Sequence, residues 1–399
     1  MARDSEDPGL LGWEMPEELR ALRDVVRRFM TNEVRPAEEQ LPADSFQFPE
    51  QVLTELRDKA RALGLWCIQS PEVHGGAGLS LLGQVVVAEE AAKCRMGAYI
   101  PAGGAFGYDP PNVIFKGNAD QIARYAEPCI RNGDKTFVAI SEPSGGSDPA
   151  RAIRTRAVRD GDHYVLNGTK VWITGAGQSK WGVVFARTGE PGERGGITSF
   201  IVDIDTPGLT AEPIDVIRSY SPYQLTFEDC RVPVANRLGE EGQGFALAED
   251  WLVHQRVPYS ATCIGTAQAA LDVALDWARD RETFGKKLAD HQAIQWMLAD
   301  SEVDLRAARM LVYQAAWRAE RGENIKLDAS VAKLFASEAA NRVVDRCVQI
   351  LGGMGVAKEL PLERWFRETR IKRIGEGPSE VHRMVIARDL IRNGSREVD

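Results

Sequence analysis

The hydrophobic period of this chain changes twice, and that double switch limits the folds open to it more than any single motif. From residue 16 to about 135 apolar residues recur at i, i+3 and i+4. Leu19, Leu22, Val25, Val26 and Phe29 mark the first such stretch, 16–33, and further ones cover 49–63, 79–93 and 118–132. Apolar residues on one face of a 3.6-residue period specify amphipathic helices. Near Phe137 the pattern turns to short, β-branched runs: IRTRAVRDGDHYVLNGTKVWIT at 153–174, then WGVVFAR, ITSFIVDI and YQLTFEDCRVP. Within them Asp160-Gly161 and Asn167-Gly168 read as hairpin turns. From Gly244 the helical period returns over 245–280, 291–321, 324–351 and 378–392, with breaks at Gly285, Gly322 and Gly352-Gly353. Four such segments suit a four-helix bundle. The expected class is α+β, mostly α, with an N-terminal helical domain at 1–135, a middle β-barrel-like domain at 136–240 and a C-terminal four-helix bundle domain at 241–399. A chain of 399 residues is too long for one simple core, which fits that division.

Composition removes several function classes. Lys and Arg number 49 against 58 Asp and Glu, a net charge of -9. That argues against a general nucleic-acid surface, which needs a cationic excess, while leaving room for a local site that takes a phosphorylated small molecule. The six cysteines are scattered and form no C-x-x-C pair, as expected for reduced thiols in a cytoplasmic protein. The five histidines show no H-E-x-x-H spacing, so no metal is expected. MARDSEDPGL at the start has neither an apolar segment nor an Arg-rich amphipathic pattern, so no leader is expected. The longest apolar runs, such as 79–88, are too short to span a bilayer.

Five short segments place chemistry-bearing residues at turns or element ends. SEPSGGSD at 141–148 follows the strand-like FVAI; its adjacent glycines can present backbone N–H groups to a flat acceptor edge or a phosphate, and Ser141 and Ser147 add hydroxyls. In VWIT at 171–174, Trp172 and Thr174 are two apart and project to the same side of a strand, an aromatic face beside a hydroxyl. RETFGKKL at 281–288 puts Arg281 and Thr283 at a helix end beside Gly285, a setting that suits a pyrophosphate. QILGGMG at 349–355 runs a helix into a double glycine, where a backbone or ligand can come close. IGEGPSEVHR at 374–383 holds Glu376 between two glycines, just ahead of a helix begun by Pro378. A carboxylate on such a loop can reach into a pocket and take a carbon-bound proton. Singly, each has a plainer reading: a turn, a core tryptophan, a charged helix end, a C-cap, a solvated glutamate.

In this order and spacing the five segments, with PEVHGGAGL at 71–79 and LTFEDCRVP at 225–233, resemble the acyl-CoA dehydrogenase family over nearly the whole chain. The resemblance implies FAD as cofactor, an acyl-CoA thioester as substrate, an electron-transfer flavoprotein as electron acceptor and a homotetramer. It implies that Glu376 is the catalytic base, taking the α proton while hydride leaves the β carbon for the flavin. The thioester carbonyl would be polarised by the Glu376 backbone N–H and a flavin ribityl hydroxyl, donors aimed at the developing enolate. Burial should raise the pKa of the Glu376 carboxyl. By the same resemblance Val138, Ile140, Ser141, Gly146 and Ser147 line the isoalloxazine, together with Trp172, Ile173 and Thr174. Arg281, Thr283, Phe284 and Gln292 would reach the ADP portion of a neighbouring subunit's FAD, as would Gln349, Gly352 and Gly353. Ser147, Val253, Arg256, Gly377 and Arg388 would contact the thioester, with Arg256 also anchoring the catalytic loop.

The chain departs from the family pattern at several of these places. Gly375 stands where the family has Tyr, which removes a ring from the pocket. Pro378 and Glu380 occupy the positions of the usual Thr and Gln beside the flavin, and Ser141 replaces Thr. His254 and Gln255 occupy the stretch where some members carry the base, and neither is a carboxylate. Relatives on this fold include flavin oxidases, enoyl-thioester reductases and flavin monooxygenases. The retained Glu376 favours the dehydrogenase over the oxygen-inserting relatives, which need no such base, and Arg281 and the base together favour a flavoprotein over a flavin-free helical scaffold.

Overall fold

A computed structural model describes residues 15–190 and 196–394 of the chain. The expected absence of a leader rests on residues 1–14, outside the described residues, as are the last five residues of the C-terminal unit.

The first helix, α1 (Glu17–Phe29), continues through a π turn at Met30–Val34 into Arg35–Glu39, burying Val26, Phe29, Met30 and Val34 on one face. Helix α2 (Glu50–Ala62) is likewise amphipathic, with Leu56 and Ala60 inward. Helix α3 (Leu81–Ala91) is different: every side chain from Leu82 onward is buried except Gln84. Ser80 caps it through the Gly83 N–H at 3.2 Å. Two of its buried residues are acidic. Glu89 is paired with Arg309 at 2.8 Å and Glu90 with Arg27 at 2.8 Å, so the charges are not left uncompensated inside. Residues 119–132 form a further helix interrupted by a π turn and started by an Asn118/Gln121 capping box.

The middle unit is an eight-stranded sheet. Its order is β6 (Leu209–Pro213), β7 (Pro222–Pro233), β3 (His163–Thr174), β2 (Arg156–Asp160), β4 (Trp181–Arg187), β5 (Ile197–Asp203), β8 (Arg237–Leu238), with β1 (Thr136–Ala139) parallel to β4. Asp160 pairs with His163, so the β2–β3 hairpin turns where Asp160-Gly161 places it. Asn167-Gly168 is not a turn. It lies inside β3, where the register with β7 slips between Leu166 and Gly168. A Cβ at Gly168 would sit 2.6 Å from the Thr155 hydroxyl, and Asn167 instead receives the Asp229 backbone N–H at 2.8 Å. The dipeptide makes a bulge, since both turns and bulges need a residue free of Cβ clashes.

The C-terminal unit contains α4 (Gly244–Asp280), α5 (Gln292–Glu320), α6 (Lys326–Leu351) and α8 (Ser379–Asn393), as the helical period indicates. It also contains α7 (Leu362–Lys372), which the period does not reveal, because Arg364, Glu368 and Lys372 lie on its buried face beside Leu362 and Trp365. Alanines dominate the buried faces of α4 and α6, among them Ala267, Ala270, Ala274, Ala332, Ala336 and Ala340. Small side chains allow close helix approach, and at Gly265 a Cβ would lie 2.0 Å from the Glu89 carbonyl oxygen of α3. Through that contact the N-terminal unit is seated on the bundle.

All six cysteines are buried and free. Among the described residues no three His, Cys, Asp or Glu side chains are grouped to hold a metal ion, and no helix is long and apolar enough to cross a membrane.

Candidate active site

The loop between α7 and α8 turns back on α7. The N–H groups of Ile374 and Gly375 donate to the Ile371 carbonyl at 2.8 and 3.0 Å, and the Ser379 N–H to that of Arg373 at 3.1 Å. Glu376 has a φ of +56°, left-handed, and Gly377 follows at +95°. A non-glycine residue there costs on the order of 1 kcal/mol and persists only where its surroundings hold it. Three buried or half-buried side chains do so. Arg256 Nε donates to the Glu376 carbonyl at 3.0 Å, His382 Nε2 to the same oxygen at 3.3 Å, and Lys333 Nζ to the Gly377 carbonyl at 2.7 Å. Burial, then the charges of Arg256 and Lys333, push His382 down to about 3, so it is neutral at physiological pH. The expected anchoring by Arg256 is thus present, and Lys333 and His382 share it.

With its backbone fixed, Glu376 projects its carboxyl into the protein. Burial pushes this carboxyl above the ordinary glutamate value, although Arg256, Lys372 and Lys333 pull the other way. Its Oε2 is sealed from solvent and has no hydrogen-bond partner. The Glu376 N–H also finds no acceptor among the described residues. A base with raised proton affinity and an idle donor thus sit on one residue.

On the sheet side, SEPSGGSD is tied down by its glutamate. Glu142 accepts from the Arg154 and Thr155 N–H groups at 2.7 and 3.0 Å and from Lys170 Nζ at 2.8 Å, a pair almost wholly buried. The Val171 N–H donates to the Ser141 carbonyl at 2.9 Å, which ties the loop to VWIT. Gly146 and Ser147 are exposed, and Ser141, Val138 and Ile140 half-buried. Trp172 is 59% exposed with φ +64°, and Thr174 is exposed on the same side, as the strand period requires. Ile173 points the other way into the sheet core, so only its backbone can meet a ligand on the Trp172 face. Thr174 Oγ1 accepts from Arg218 Nη2 at 3.4 Å.

A second group lies at the surface. Arg281 follows the C-terminus of α4, whose carbonyls disfavour an anion, so its place at a helix end gives a pyrophosphate no help from the helix dipole. Thr283 to Lys286 form a tight hairpin whose loop residues, Phe284 and Gly285, both have positive φ. Thr283 Oγ1 is 3.2 Å from His291 Nε2, which ties the hairpin to α5, and Phe284 is 97% exposed. Gln292, Gln349, Gly352 and Gly353 are also exposed. A Cβ at Gly352 or Gly353 would meet nothing within 4 Å among the described residues, so this surface is open to a neighbour.

Of the remaining candidates, Val253 is buried in α4 three residues before Arg256, while Arg388 and Glu380 are exposed on α8 and Pro378 precedes its first turn. Gln255 Nε2 donates to the Gln69 amide oxygen at 2.6 Å and His254 is exposed. Sequence reasoning missed Glu142, Lys170, Arg218, Lys333 and Lys372. The available signal was a charged residue within an apolar stretch, as in GTKVWIT and VAKLF, since a charge there must be paired inside.

Comparison with known proteins covers the whole of this architecture. The family models for the N-terminal, middle and C-terminal domains of acyl-CoA dehydrogenases match residues 16–133, 137–230 and 242–391. The short-chain specific acyl-CoA dehydrogenase of Mus musculus mitochondria is 40% identical over 385 residues, 95% of this chain and 92% of that protein. The Homo sapiens counterpart is 39% identical with the same coverage. The butyryl-CoA dehydrogenase structure from Megasphaera elsdenii superposes with a TM-score of 0.84 at 31% identity, covering 95% of this chain and all of the other.

Proposed function

The chain belongs to the acyl-CoA dehydrogenase family, FAD-dependent oxidoreductases acting on CH–CH groups, and from that premise we propose that it converts an acyl-CoA to the trans-2-enoyl-CoA with Glu376 as base. The observation that carries this reading is the Glu376 carboxyl: buried, raised in proton affinity, without a partner, on a loop held by three side chains.

The residues present fit FAD. Trp172 offers an exposed aromatic face beside Thr174. Arg218 keeps two buried N–H groups without acceptors. When bound, FAD supplies the acceptor for the hydride that leaves the substrate β carbon. Ser141, Gly146 and Ser147, on the loop that Glu142 fixes, would receive the ring together with Trp172 and the VWIT backbone, bordered by Val138 and Ile140. Thr174 would turn its hydroxyl to the ring edge. Arg281, Thr283, Phe284 and Gln292, with Gln349, Gly352 and Gly353, would hold the ADP portion belonging to another subunit. Their exposure, and the open space at both glycines, support assembly as a homotetramer.

Glu376 would take the α proton and end as a neutral acid, the form its burial favours. Its N–H would donate to the thioester oxygen as enolate character develops. Arg256, Lys333 and His382 hold both groups in register from the carbonyl side of the loop, and Val253, Ser147, Gly377 and Arg388 would border the thioester. Pro378 starts α8 and Glu380 lies in its first turn, at the flavin edge on this reading. The two hydrogens would leave as a proton taken by Glu376 and a hydride for which bound FAD would supply the acceptor, and an electron-transfer flavoprotein would then take the electrons. The six buried free thiols support a reducing, cytoplasmic setting. The three units at 1–135, 136–240 and 241–399 are proposed as the working domains.

Anaerobic titration of the FAD-loaded protein with acyl-CoAs of different length tests the reading. Bleaching of the flavin by at least one acyl-CoA is the expected result; an oxidised flavin in the presence of all of them refutes it.

A further inference from the structure

The last residue of α7 is a lysine for which the reaction above has no use. Lys372 is 2% exposed. Its ammonium donates to the Thr262 hydroxyl at 3.2 Å and lies 3.6 Å from the centre of the Tyr259 ring and 4.6 Å from that of Tyr99. An ammonium carries three donors, and among the described residues this one has one hydrogen bond and no carboxylate within ion-pair distance. Lys170, equally buried, is by contrast paired with Glu142.

A second buried cation shares the same aromatic wall. The Arg218 guanidinium lies 3.9 Å from the centre of the Tyr99 ring, and its Nε and Nη1 are sealed from solvent without acceptors. The one carboxylate beside these cations, other than Glu376, is Glu368. It is engaged through Oε1 by Arg364 at 3.0 Å, and burial pushes it up to about 7, so it is a weak counterion near neutral pH.

The third observation concerns shape. A Cβ at Gly375 would lie 2.6 Å from the Tyr259 hydroxyl. The loop beside Glu376 is thus bounded by a phenol whose hydroxyl is sealed from solvent and has the Tyr99 hydroxyl as its polar neighbour. An ammonium without a carboxylate partner thus lies against a solvent-sealed phenol, close enough to Glu376 for its charge to act on that carboxyl.

Resting on the dehydrogenase reading, we infer that the acyl chain of the substrate ends in a carboxylate, which the Lys372 ammonium pairs with and the Tyr259 hydroxyl hydrogen-bonds. The substrate class is an ω-carboxyacyl thioester of short chain. A plain alkyl end would leave the Lys372 ammonium buried against methyl and methylene with two of its three donors unused, the costly arrangement for donors without acceptors. The carboxylate takes no part in the chemistry: the proton still goes to Glu376 and the hydride to FAD.

The test compares glutaryl- and adipyl-CoA with the neutral valeryl- and hexanoyl-CoA in anaerobic flavin bleaching by the FAD-loaded enzyme. A charge-assisted contact of this kind gives a preference of about 10- to 150-fold in kcat/KM for the carboxylates. Lys372→Met should abolish the preference, mainly through weaker binding, and raise kcat/KM for the neutral chains. Lys372→Arg should keep part of it, and Tyr259→Phe should reduce it several-fold while retaining the ring. The wild-type ratio decides the matter even if Lys372→Met fails to fold. Equal or better reduction by the neutral thioesters overturns the inference and leaves the dehydrogenase reading standing. Failure of both classes to bleach the flavin overturns the two together.

Discussion

Replacing Glu376 by Gln should slow flavin reduction and stabilise the fold at once, a combination that separates a functional carboxylate from a structural one. Gln keeps the shape of the side chain but cannot accept the α proton, so the rate of reduction should fall by at least about 10²–10⁴-fold, the contribution of a positioned base. The effect on stability follows from burial. The folded carboxyl has its pKa raised above the ordinary value of 4.5, and its Oε2 has no partner. A carboxyl raised on folding gives up no stability below its unfolded pKa. Stability is then lost as pH rises through the folded pKa, by about 1.4 kcal/mol for each unit of separation. Gln never ionises and escapes that loss. For 399 residues melting as one unit, each such unit corresponds to about 2 °C in Tm. Thermal unfolding of the FAD-loaded proteins at about pH 5 and pH 8, beside anaerobic stopped-flow reduction, checks both halves. The Tm advantage of Glu376→Gln should be small at the acid end and larger at the alkaline end. A Tm advantage that shrinks as pH rises, or reduction at near wild-type rate, would refute the reasoning. Glu380→Gln, at an exposed site on α8, should do neither.

Glu142→Ala should destabilise the protein by roughly 3–5 kcal/mol, because it leaves Lys170 buried without its partner and frees two backbone N–H groups; urea unfolding would show this, and a loss under about 1 kcal/mol would mean that the loop finds other anchors. Arg281→Ala should weaken FAD retention by about 10- to 150-fold without lowering the Tm of the apoprotein, and an unchanged FAD affinity would remove Arg281 from the site. Gly375→Ala places a methyl 2.6 Å from the Tyr259 hydroxyl and should cost about 1–3 kcal/mol, most of it restored when Tyr259→Phe is added; an unaltered Tm in the single variant would show that the tyrosine swings aside freely.

The period of the apolar residues was enough to place eight of the helices that carry the architecture and the strand-rich middle unit, because most bury one face and the spacing records which. The same reasoning failed at α7. Arg364, Glu368 and Lys372 look like a solvated face, yet all three are buried, and only the surroundings supplied by α4 and α6 reveal it. It failed also at Asn167-Gly168, where a turn signal and a bulge signal are the same two residues, and the choice depends on Thr155 and Asp229.

The candidate site divides in the same way. The motifs SEPSGGSD, VWIT, RETFG, QILGG and GEGPSE could be read off as a set because each lies within one short segment, and a family resemblance is carried by segments of that kind. The resemblance placed Arg256 at the catalytic loop 120 residues away, but no sequence feature told that Lys333 would hold the next carbonyl or that His382 would share the Glu376 carbonyl with Arg256. Nor did it show that Tyr259 would stand against Gly375, or that Lys372 and Arg218 would face the same Tyr99 ring. Local sequence determined which elements form and where the loops with special backbone lie. Tertiary packing decided which charges are paired and which are left waiting, because a charge is costly or useful only by what the distant chain places beside it.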